Sequence, residues 1–86
     1  MADIMKPIIS ISGTSRAELI QQRIDARRAV MALMETLQHM VPNGRDYIGQ
    51  NEAFERDRAI YRERFAALDA LYNTLTDEAL HIRDWV

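Results

Sequence analysis

Three groupings of side chains in this sequence are of types and spacings that could do chemistry. The first is Glu78-Ala-Leu-His81, which has the Glu-x-x-His spacing that di-iron helix bundles use to turn a carboxylate and an imidazole toward one metal ion. Such a centre also needs a glutamate from each facing helix at the same level. In a hairpin folding near residue 46, the equal rise of two helices sets position 78 opposite roughly position 14, where no acid stands. Glu18 is the nearest acid, about one turn away and on the polar face. This reading predicts no metal site and leaves Glu78 and His81 solvated at a helix end. The chain also has no cysteine, no glycine-rich phosphate loop, no nucleophile elbow and no paired catalytic carboxylates, so neither an enzyme nor a cofactor is expected.

The second grouping is the segment Pro42-Asn-Gly-Arg-Asp-Tyr-Ile-Gly49, which sets an amide, a guanidinium, a carboxylate and a phenol between glycines. Arg45 is suited to a planar anion, carboxylate or phosphate. Tyr47 offers a ring face for a base and a hydroxyl to orient it. A helix N-terminus near Asn51 adds unsatisfied N–H groups that favour anions. The competing reading is structural: Arg45 and Asp46 pair and cap helix ends while Tyr47 folds back as a lid. The third grouping is a set of arginines (Arg16, Arg23, Arg27 and Arg28, then Arg56, Arg58, Arg62 and Arg64) interleaved with acids, as on a solvated face. Arg23 and Arg58 stand apart because they occupy apolar stripe positions. There an arginine either pairs with a buried acid or lines a polar cavity. The candidate ligand-binding residues are therefore Asn43, Arg45, Tyr47 and Arg58.

The elements that must position these residues follow from periodicity. Ser15-Arg-Ala-Glu18 has capping-box spacing, and no glycine or proline interrupts the chain from there to Val41. Leu19, Arg23, Ala26, Val30, Leu33, Leu37 and Met40 step by fours and threes, beside a second stripe of Ile20, Ile24, Met31, Met34 and Val41. Pro42-Asn43-Gly44 stops this helix. Phe54, Arg58, Tyr61, Phe65, Leu68, Tyr72, Leu75, Ala79, Ile82 and Val86 then keep a 4-3-4-3 spacing, the mark of knobs-into-holes packing. Thr76-Asp77 resembles a helix start and so a kink. The chain divides into an extended N-terminal arm over 1–13, with β-branched residues between Pro7 and Gly13, and a helical hairpin over 14–86. The hairpin comprises a helix at about 15–41, a turn over 42–50 and a helix at about 51–84. At about 1.5 Å per residue the helices span about 40 and 50 Å, so the tail of the second, with Trp85, overhangs unless something covers it.

Two antiparallel helices hide one face of each, yet both carry a stripe and a half. Met31, Met34, Ile60 and Leu71 would remain as an exposed patch, which soluble monomers seldom tolerate. At 86 residues without disulfides, self-association is the available staple. The expected fold is thus an all-α, two-helix antiparallel hairpin with an extended arm, assembling into a helical-bundle homo-oligomer. Eleven basic and thirteen acidic residues, a net charge of −2, argue against duplex nucleic acid. No apolar run approaches the roughly 20 residues a bilayer requires, and no secretory signal is evident, so a cytoplasmic location is expected.

The turn and the helix after it, Asn43-Gly-Arg-Asp-Tyr47 with Gly49, Ala53 and Arg64, resemble a group of short phage and mobile-element proteins with an Arg-Asp-Tyr turn between two helices. The resemblance covers about half the chain and brings no assigned activity. In size and architecture the chain is also similar to phage hairpin oligomers that sequester cyclic nucleotide signals, although their tyrosine–arginine and lysine pattern is absent. A phage origin would imply an accessory, counter-defence protein. The leading expectation is a non-enzymatic, homo-oligomeric binding protein that captures an anionic small ligand such as a nucleotide signal. The alternative is an inhibitor or adaptor of a host protein, working through the helical faces or the arm by strand addition. A DNA-associated regulator is the weaker third.

Overall fold

A computed structural model of the chain describes residues 3–85, which are all-helical with two long α-helices and no strand among them. The first helix, α1, runs Arg16–Leu37 and the second, α2, Asn51–Asp84; together they form an elongated hairpin of 63 × 23 × 16 Å. Ser15 starts α1, its hydroxyl accepting the Glu18 N–H at 3.2 Å, and Glu18 lies favourably at the positive end of the helix dipole.

The end of α1 departs from the expected 41. The helix stops at Leu37 and tightens into one 3-10 turn over Gln38–Met40. Pro42 is the cause: its ring disfavours helical backbone in the residue before it, and Val41 is extended at φ −59°, ψ 129°. A second 3-10 turn, Gly44–Asp46, follows, and the chain re-enters helix through Gly49, whose φ of +74° only glycine adopts without strain. Gln50, not Asn51, is the residue that caps α2, and its side chain makes no capping bond. No new helix starts at Thr76-Asp77: α2 runs through without a break, and the Thr76 hydroxyl donates back to the Tyr72 carbonyl at 3.0 Å instead of capping a following turn.

The two helices are staggered. Arg23 faces Glu78, Arg27 faces Tyr72, and the Arg16 guanidinium donates to the Trp85 carbonyl. Position 78 is therefore opposite 23, not 14. The connector does not turn tightly; it lies back along the first three turns of α2, with Tyr47 against Phe54 and Asp57, so α1 begins its pairing well inside α2. For the same reason Trp85 does not overhang but ends level with the start of α1.

Leu19, Val30 and Ile82 are the buried apolar side chains among the described residues. The arm has no regular secondary structure over residues 3–10 and lies on the hairpin, the Met5 N–H donating to Glu78 Oε2 at 3.0 Å. No described helix is long and apolar enough to cross a membrane.

Candidate functional site

At the connector end, three of the four residues proposed from sequence sit within five positions of one another, and the side chains of two of them are engaged within the chain. The Asn43 side chain accepts the Arg45 N–H at 3.0 Å, an Asx-type turn that shapes Gly44–Asp46. Tyr47 is half-buried, its ring 5.4 Å from that of Phe54 and its hydroxyl donating to Asp57 Oδ2 at 2.7 Å. That hydrogen bond, with burial and the nearby carboxylates, raises the phenol above its ordinary 10.0, so it stays a protonated donor. Only Arg45 presents an unengaged side chain: it is exposed, and no described group pairs with its guanidinium. Arg58, on a stripe position, is not in the seam. Its side chain is largely outside, paired with Glu55 at 3.1 Å and resting over the Phe54 ring. The connector occupies the space where α1 would have enclosed it.

Tyr47 does border a cleft of about 400 Å³ between the connector and α2, but its companions are Arg56, Asp57, Tyr61 and Arg64, with Leu37, Met40, Pro42 and Ile60 as the apolar wall. Neither Asn43 nor Arg45 lines it, and Arg58 borders a separate shallow notch beside Val41 and Pro42. The sequence carried a signal for this cleft. Asp57, Tyr61 and Arg64 repeat by fours and threes and so share one helix face.

At the opposite end the structure corrects the reading of Glu78. This carboxylate is 4 % exposed, with Oε1 accepting Arg23 Nε–H at 3.1 Å and Oε2 accepting the arm's Met5 N–H. Arg23, 8 % exposed, also donates to Gln22 Oε1 and the Leu19 carbonyl. Its stripe position thus resolves as a pair with a buried acid. Both oxygens of Glu78 are thus engaged, one by a guanidinium and one by an amide.

A third feature lies midway along the hairpin and was hidden among arginines that read as solvated. Arg27 Nη2–H donates to the Tyr72 hydroxyl at 2.7 Å, and its guanidinium carbon lies 4.6 Å from the Tyr72 ring centre. Its Nε–H is buried without an acceptor among the described residues. Beside this pair opens a groove lined by Ile24, Arg28, Met31, Ala32 and Glu35. Comparison with known proteins finds no matching family model, no matching curated protein and no matching solved structure.

Proposed function

We propose that this protein is a non-enzymatic binding module that works as a homo-oligomer through its helical faces. One observation carries the reading: the hairpin leaves several large apolar side chains of its helices about half exposed. Leu19, Val30 and Ile82 are buried, whereas Met31 and Leu71 are 47 % and 46 % exposed, with Leu33 and Leu80 close behind. A fully buried aliphatic side chain contributes about 1.5–3 kcal/mol, so each side chain left half in water forgoes a good part of that. A second copy laid on the open faces supplies the missing burial, and the partner chosen is the chain itself because closed symmetric association is the commonest closure for such hairpins. Sedimentation at micromolar concentration tests this. A dimer or higher species is expected, and a monomer that unfolds cooperatively would refute it. A monomer that becomes ordered only with a protein from its surroundings would instead favour the adaptor reading.

A second reading, capture of an anionic small ligand, has its own observation in support. Arg56 and Arg64 border the same cleft as the rings of Tyr47 and Tyr61, a combination suited to a planar ring bearing a phosphate. Asp57 sits within the cleft and opposes an anion, which is why this reading stands second. Equilibrium dialysis with a nucleoside monophosphate at low and high salt checks it. Binding lost in Arg64→Ala and weakened by salt is the expected result.

A further inference from the structure

Resting on the homo-oligomer reading, we infer that the groove beside Arg27 is the self-association face, and that two copies of α1 meet there antiparallel about a two-fold axis at Met31. The face reads Ile24, Arg27, Arg28, Met31, Ala32, Glu35. Its charge is divided at Met31, basic toward the N-terminus and acidic toward the C-terminus. An isologous contact sets each residue opposite the one equally far on the other side of the axis. Arg28 lies three residues before Met31 and Glu35 four after it, about 4.5 and 6 Å along the helix. In an antiparallel pair, Glu35 of the second copy therefore arrives level with Arg27 and Arg28, twice over by symmetry. A parallel pair would stack arginine on arginine and glutamate on glutamate.

Two further observations suit this face. Neither Arg28 nor Glu35 has an ion-pair partner among the described residues, so both charges are available. Met31 is about half exposed at the centre, and Ala32 beside it lets two helix backbones approach closely.

Charge reversal tests the geometry in the full-length chain, and both positions are exposed, so folding is not at stake. Arg28→Glu alone sets its new carboxylate against Glu35 of the other copy, and Glu35→Arg alone sets two guanidinium groups together. Each should weaken the dimer about tenfold or more in sedimentation equilibrium. An equimolar mixture of the two variants should re-form dimers, because each position 28 then faces a position 35 of unlike sign. Met31→Cys should cross-link efficiently on mild oxidation, since the wild-type chain has no cysteine and the new thiols face each other across the axis. Wild-type dimers that tolerate both reversals, or a mixture that fails to re-associate, overturn this face while leaving self-association standing. A wild-type chain that stays monomeric at high micromolar concentration overturns both.

Discussion

The two ends of the hairpin use the same kinds of residue and obtain opposite results. At the end where α1 begins and α2 finishes, a guanidinium and a carboxylate are enclosed by both helices and roofed by the arm, above Ile82, which is wholly buried. At the connector end, Arg58 also occupies a stripe position, but α1 has already stopped and only a loop lies over α2, so its pairing with Glu55 stays in water. Exposed pairs of that kind contribute little, whereas breaking a buried one is costly. An arginine on an apolar stripe is therefore structural only where two elements flank it; elsewhere it is a surface residue with a misleading address.

The sharpest break of this contrast is Glu78→Ala. It leaves the Arg23 charge buried without a partner and the Met5 N–H without an acceptor, and urea unfolding should show a loss of about 3–5 kcal/mol. The double change Arg23→Met with Glu78→Leu should recover most of that loss, since apolar residues of similar volume replace a buried pair at little cost. Equal behaviour of Glu78→Ala and Glu55→Ala would erase the difference between the ends.

Removing residues 1–10 comes next. A hydrogen bond to a buried carboxylate disappears, with an expected cost of about 1–3 kcal/mol and little change in helical circular dichroism. An unchanged melting temperature would mean that the arm does not close this end.

The effects at the connector should be smaller. Tyr47→Phe keeps the ring on Phe54 and deletes the bond to Asp57, so a modest fall in melting temperature is expected near neutral pH. The sign of its pH dependence follows from the raised phenol. The stabilisation from the protonated hydroxyl is fully present below about pH 10, the ordinary tyrosine value, and is lost as pH climbs through the higher folded value. Wild type and Tyr47→Phe should therefore converge only in strong alkali; convergence near neutrality would show the bond absent. Arg45→Ala should change stability by about 0.5 kcal/mol or less, since its exposed guanidinium holds no group among the described residues. A thermal melt showing a larger change would make Arg45 a structural cap.

That the chain makes two helices was legible in the sequence, because 4-3 spacing and the Ser15 cap are local signals that packing reinforces. The pairing of the helices was not. Counting outward from a tight turn at residue 46 assumes that both helices leave it level, and nothing in the periodicity of either helix reports the path of the thirteen residues between them. Once Tyr47 anchors the connector on Asp57, the stagger follows, and with it the meeting of Arg23 with Glu78 that the level count had placed apart. At the candidate site, Tyr47 borders the cleft, but its neighbours there, Arg56, Tyr61 and Arg64, depend on that same loop path. Arg27 was lost among alternating charges, although its place one helical turn after Arg23 put it on the edge of the seam.

Trp85 is the only tryptophan in the chain, and it stands half-buried beside the arm's end of the hairpin, its carbonyl held by Arg16. The molecule thus carries its own optical reporter at one end, while tyrosines mark the middle and the far end. Light absorbed by the indole alone would follow fraying where α1 starts, blind to events at the connector. Excitation of the phenols would sample the rest of the rod. Opening of the two ends can then be timed separately in a single unlabelled sample.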